Sequence, residues 1–135
     1  MIKQVINDNG GTALASAWTL TATGPTGFSG PGPSVSNGAG FQTGTYTLSE
    51  STGPAGYTAS AWVCVGGSQN GNQITLAAGQ AATCTITNND NAPSLTLNKV
   101  VTNDNGGTAQ PSAWTLSAAG PTPLSGPGAA GSTDV

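Results

Sequence analysis

The sequence predicts an all-β protein, an antiparallel sandwich or barrel, on three observations. Apolar and polar residues alternate with a period of two in Tyr46-Thr47-Leu48-Ser49-Glu50, in Cys84-Thr85-Ile86-Thr87-Asn88 and in Leu95-Thr96-Leu97-Asn98-Lys99, so that every second side chain shares one face. These runs are rich in Thr, Val, Ile and Tyr and are separated by Gly, Asn and Pro. No segment carries the apolar stripe of an amphipathic helix.

Taken in order, strands are expected at 2–6, 16–22, 42–50, 57–65, 73–76 and 82–88, then at 95–102 and 112–118. The first is short and β-branched, and the second alternates Trp18 and Leu20 toward one side. Thr23 to Gly40, with Gly30-Pro31-Gly32-Pro33 at its centre, reads as a long loop. Gly53-Pro54-Ala55-Gly56 turns the chain from the third strand into the fourth. Asn88 to Pro93 is polar and ends in proline, which marks a linker.

An internal repeat organises the whole chain. Asn7-Asp8-Asn9-Gly10-Gly11-Thr12-Ala13 recurs as Asn103-Asp104-Asn105-Gly106-Gly107-Thr108-Ala109, Ser16-Ala17-Trp18-Thr19-Leu20 recurs as Ser112-Ala113-Trp114-Thr115-Leu116, and Lys3 recurs as Lys99, all at one constant interval. The expected organisation is a complete unit over 1–91 and the opening of a second over 92–135, its linker and first two strands. Two strands with one apolar face are marginal in water. Completion by a neighbouring subunit, through Leu95, Leu97, Lys99 and Trp114, is therefore one expectation, and a boundary within a longer tandem array is the other.

Composition excludes whole classes of partner. The 135 residues include two Lys, no Arg, no His and five acidic residues, Asp8, Glu50, Asp90, Asp104 and Asp134. A formal charge of -3 leaves no basic surface to release counterions from nucleic acid or to bind anionic lipid. No stretch approaches the roughly 20 apolar residues of a membrane helix, and Met1-Ile2-Lys3-Gln4 lacks the apolar core of a signal peptide. Without His, and with Cys64 and Cys84 alone, no metal-ligand set and no catalytic Ser–His pair exist, so neither metal, cofactor nor turnover is expected. The two cysteines are either free thiols or a disulfide, and the Thr-, Ser-, Asn- and Gly-rich composition of an exported protein favours the disulfide.

The few ionisable side chains fall in an unexpected phase. Lys3 shares a face with Val5, Lys99 with Leu95, Leu97 and Val101, Glu50 with Tyr46 and Leu48, and Asn88 with Cys84 and Ile86. An unpaired ion in an apolar interior is costly, so an inward Lys3 and an inward Glu50 should be partners. They form either an ion pair with Asn88 hydrogen-bonded beside it, or a reacting set. In the second case a neutral amine attacks the Asn88 carboxamide, while a carboxyl polarises the carbonyl and shuttles protons as ammonia leaves.

Here the residues also carry a resemblance. Tyr46-Thr47-Leu48-Ser49-Glu50 followed by Gly53-Pro54-Ala55-Gly56-Tyr57 resembles the Y-x-L-x-E…P-x-G-Y signature of Cna-B-type, SpaA-type prealbumin-like domains of Gram-positive surface proteins and pilins. The resemblance implies an Ig-like, prealbumin-like β-sandwich with Glu50 as catalytic acid, the lysine in the first strand (Lys3) and the asparagine in the last (Asn88), joined by an isopeptide bond. The Asn-Asp-Asn-Gly-Gly opening, the Ala-Trp pairs and the cysteine pair are similar to a tandem-repeat branch of the family in large secreted bacterial proteins.

Other signals read more plainly. Asn7 to Gly11 and Asn103 to Gly107 look like calcium-loop fragments, but each holds one carboxylate, and a hairpin turn is the better expectation. Trp18, Trp62, Trp114, Tyr46 and Tyr57 could form a glycan platform, yet their phase suits core packing. Threonines spaced by two could form an ice-binding face but fit the solvated side of strands. The expected function is a structural module of an extracellular bacterial stalk or filament, joined head to tail and crosslinked by maturation, without enzymatic turnover. The alternatives are an adhesin contacting a host glycan or protein through 23–40, and an accessory domain of a secreted enzyme.

Overall fold

The β-branched run Ile2–Ile6 forms the first strand, β1, in a computed structural model that describes residues 1–128. A 3-10 turn at Ala15–Ala17 leads into β2 (Thr19–Thr23), and β3 (Phe28–Pro31), β4 (Gly44–Glu50), β5 (Tyr57–Ala59) and β6 (Val63–Val65) follow. The short β7 (Ser68–Asn70) and β8 (Gln73–Leu76) precede the longest strand, β9 (Thr83–Asp90). The chain divides into two compact units, Met1–Asn91 and Ala92–Val135.

The first unit is a β-sandwich of two sheets. One sheet runs β3-β2-β4-β8-β7, antiparallel throughout, and the other sets β9 between β1 on one side and β5 and β6 on the other. Alternation places Leu20 and Ala22 of β2, Tyr46 and Leu48 of β4, Ile74 of β8 and Cys84 and Ile86 of β9 in one buried cluster between the sheets. Phe41 stacks on Tyr46 at 4.6 Å between ring centres and receives the edge of Phe28 at 5.7 Å, closing one end of this core. Trp18 and Trp62 are buried too, which fits core packing rather than a glycan platform. Thr19, Thr23 and Thr45 are exposed, the solvated side of their strands.

One pairing departs from the antiparallel expectation. β1 runs parallel to β9, with Lys3 opposite Ile86 and Val5 opposite Asn88. The beginning and the end of the unit are thereby adjacent strands.

Several boundaries differ from the sequence reading for identifiable reasons. The segment 23–40 is not all loop, because Phe28–Pro31 pairs with β2 as an edge strand, where Gly and Pro cost no central ladder bonds. The run 57–65 is two strands. Ser60, Ala61 and Trp62 stand opposite Ile86 and Thr87, and the extra residue bulges the strand while Thr87 N–H donates to Ser60 Oγ at 3.0 Å. β7 has no apolar member to betray it and follows from the tight Gly71-Asn72 turn, Gly71 having φ 59°. β9 continues through Asp90, so the first half of the expected linker is buried strand.

The second unit contains a 3-10 turn at Pro111–Ala113 and the antiparallel pair β10 (Thr115–Ala118) and β11 (Leu124–Pro127). β11 was not legible for the same reason as β3, of which it is the repeat. Among the described residues 95–102 forms no strand: its counterpart β1 exists by pairing with β9, and nothing in this unit offers such a partner. Trp114 is 40% exposed, unlike its counterpart Trp18. Residues 129–135, including Asp134 and the end of the 92–135 unit, lie outside the described residues.

Candidate functional site

Three strands bring the site together. β1 carries Lys3 inward, β9 carries Asn88 inward, and the last residue of β4, Glu50, reaches across from the opposite sheet. The 3% exposure of Lys3 and 4% of Asn88 put an amine and an amide in the dry interior, whereas the Glu50 side chain keeps 13% of its surface. Lys3 Nζ donates to Glu50 Oε2 at 2.6 Å and to Asn88 Oδ1. Of the four polar side chains singled out by their phase, Lys3, Glu50 and Asn88 come together at the Lys3 nitrogen, and Lys99 belongs to the second unit.

The walls of the site are aromatic and glycine. The Trp18 ring centre lies 4.5 Å from Lys3 Nζ, a cation–π distance, and the edge of Tyr57 meets Trp18 at 5.4 Å. Gly53, just past Glu50, lies flat against the Trp18 indole, and a β-carbon there would overlap Nε1. Lys3 N–H donates to Pro33 O at 2.8 Å, and this ties β1 to the chain beyond β3.

A second polar cluster flanks the first, and it was missed in the sequence. The alternation that turns Ile86 and Asn88 inward continues to Asp90, which is 5% exposed. Its carboxylate accepts backbone N–H bonds from Asp8 at 3.0 Å, from Asn9 at 2.9 Å and from Gly11 at 2.6 Å. Burial alone raises the Asp90 pKa, but the bonds from Gly11, Asn9 and Asp8 outweigh it and hold the carboxyl below its ordinary value. Asn7 to Gly11 is therefore not the expected hairpin turn: β1 runs on into a loop that curls around Asp90. The N–H groups that fill this carboxylate also occupy the face a cation would need. Tyr57 Oη donates to Asn7 Oδ1 at 2.5 Å and accepts from Ala13 N–H at 3.0 Å, fastening the loop's far end.

Cys64 of β6 and Cys84 of β9 face each other in register and form a disulfide, with Cα atoms 3.9 Å apart. In the second unit Lys99 Nζ lies 4.7 Å from the Trp114 ring centre, while Leu95 is 48% exposed. Among the described residues no group of three His, Cys, Asp or Glu side chains is placed to hold a metal ion.

A sequence profile described as a prealbumin-like fold domain, of SpaA type, matches residues 1–86 and again residues 90–135. The chain belongs to the SpaA-type prealbumin-like family. No curated protein and no solved structure matches it. A SpaA-type sandwich closed by a disulfide is a pilin-like structural module. No helix among the described residues is long and apolar enough to cross a membrane.

Proposed function

We propose that this SpaA-type protein is a durable extracellular module of a bacterial surface stalk or filament, locked by an amide bond between Lys3 and Asn88. The observation that carries the reading is the convergence of Lys3, Glu50 and Asn88 in the interior. Glu50 takes a proton from the Lys3 ammonium, and the freed Nζ attacks Asn88 Cγ. A C–N bond forms, the bond from Cγ to Nδ2 breaks, and the leaving nitrogen takes two protons, the one held by Glu50 and one that Nζ sheds on becoming an amide. Ammonium leaves, one amide replaces another, and charge is conserved. The reaction runs once per molecule, so the protein is not an enzyme in the turnover sense and needs no cofactor.

The parallel neighbourhood of β1 and β9 gives the bond a mechanical role. Tension applied at the start of β1 and the end of β9 loads their ladder in shear, and a covalent bridge between the two strands carries that load. The disulfide between Cys64 and Cys84 holds β6 to the same strand. Intact mass after reduction tests the reading: loss of one ammonia supports it, and an unmodified mass overturns it.

In this reading modules join head to tail, through neighbouring repeats or copies of the chain, without nucleic acid or membrane insertion. What supports strand addition by the second unit is the run 95–102, unpaired among the described residues, with Leu95, Leu97 and Lys99 beside a half-exposed Trp114. Lys99 taking the place of a neighbour's Lys3 would make the joint covalent. Boiling an assembly in detergent and reductant checks this, since complete collapse to monomers excludes the covalent joint. The adhesin alternative loses part of its 23–40 loop to β3 and is the weaker reading.

A further inference from the structure

We propose that Trp18 is a positioning residue for this crosslink: its ring face holds the Lys3 amine in place for Glu50 and Asn88, and Trp114 holds Lys99 in the same way. The inference rests on the Lys3–Asn88 reading for its consequence, but on separate geometry for its existence.

The Trp18 ring is fixed from several sides. It is 1% exposed, is met edge-on by Tyr57 and lies against Gly53, which has no side chain to displace it. Its backbone is held as well, because Trp18 N–H donates to Ala15 O at 3.3 Å and Gly32 N–H donates to Trp18 O at 3.0 Å. A long lysine side chain has many rotamers, and reaction requires one of them. A rigid ring 4.5 Å from Nζ blocks one side of the amine and leaves it open toward the acid and the amide.

The second unit separates cause from consequence. There Trp114 N–H donates to Pro111 O at 3.2 Å, Gly128 N–H donates to Trp114 O at 2.8 Å, and Lys99 Nζ lies 4.7 Å from the ring centre. A β-carbon on Gly128 would meet Lys99 Cβ at 2.7 Å, as one on Gly32 would meet Lys3 Cβ at 2.8 Å. Among the described residues Lys99 has no ion-pair partner, the one salt bridge being Lys3–Glu50. Among the described residues, the lysine–tryptophan pair thus forms from the local repeat with no acid or amide hydrogen-bonded to the amine. Presentation of the amine precedes the chemistry and does not depend on it.

The test uses the full chain and its variants Trp18→Phe, Trp18→Leu and Trp114→Leu. Freshly expressed protein is followed by intact mass for the fraction that has lost ammonia, with thermal melts to confirm folding. Trp18→Phe, which keeps an aromatic face, is expected to react close to the native rate, and Trp18→Leu about tenfold or more slowly. A folded Trp18→Leu reacting at the native rate, or Trp18→Phe as slow as Trp18→Leu, overturns the proposal. Proton NMR of the lysine side chains gives the arm that needs no reaction. The Lys99 ε-methylene is expected upfield from ring current in the native chain and at its solvent position in Trp114→Leu. An unshifted native Lys99 overturns the clamp, even if Trp18→Leu does not fold. If the native chain never loses ammonia, the crosslink fails, while the Lys99 shift still decides the clamp.

Discussion

Lys3 and Asn88 lie on adjacent parallel strands but not opposite each other: Val5 faces Asn88 across the ladder, and Lys3 faces Ile86. The amine reaches its amide diagonally, along the inner face of the sheet, and this brings it beneath Glu50 of the other sheet. A one-residue slip of β1 would turn Lys3 outward and separate all three groups.

The leaving group follows from the residue at position 88. Native protein is expected to lose one ammonia, Asn88→Asp one water, and Asn88→Ala neither. High-resolution intact mass of the three reduced chains checks this in one experiment.

Glu50→Gln keeps the shape of the acid and removes its charge and its ability to relay a proton. No ammonia should be lost, and Lys3 is left as a buried cation without a counterion. Breaking a buried pair this way costs about 3 kcal/mol, the lower end of the usual range because Glu50 retains contact with solvent. Urea denaturation of the variant against Asn88→Ala, which is also uncrosslinked, isolates that cost.

Asp90 makes stability depend on acid pH. Its folded pKa lies below the ordinary 3.8, so its contribution is complete above that value and is lost as pH falls through the lower folded value. Asp90→Asn removes this part of the slope and leaves the loop around residues 7–11 without its anion. Thermal melts of both proteins between neutral and strongly acidic pH should converge at the acid end and diverge above it.

Replacing Cys64 and Cys84 together by alanine releases β6 from β9. The loop they close spans 20 positions, for which chain entropy gives about 3 kcal/mol. For a unit of this size that lowers Tm by about 10–20 °C, measurable by calorimetry on the native and variant chains. Ammonia loss should persist, because the disulfide touches none of the three reacting groups.

The sequence revealed what alternation encodes. Period two located β4 and β9 and put Lys3, Asn88 and Glu50 in the inward phase before any contact was known. Carrying the same rule two residues further would have found Asp90, which was hidden only by reading its polar neighbours as a linker. What alternation does not encode stayed out of sight. β3 and β11 are Gly- and Pro-containing edge strands whose pairing is decided by their neighbours, and β7 is wholly polar. The bulge that divides 57–65 arises from the register of two strands on β9 and has no signature in either alone. The run 95–102 shows the converse, a strand-like pattern that stays unpaired among the described residues.

The burial of one side chain also decides how such a chain meets digestive enzymes. Proteases that cut after cationic residues find no arginine here and two lysines, of which Lys3 is 3% exposed and hidden behind Trp18. The other, Lys99, is half-buried and lies outside the Met1–Asn91 unit. A single clip there severs the chain within the second unit and leaves the Met1–Asn91 sandwich whole, so a digest that removes ordinary proteins would spare this one as an intact core.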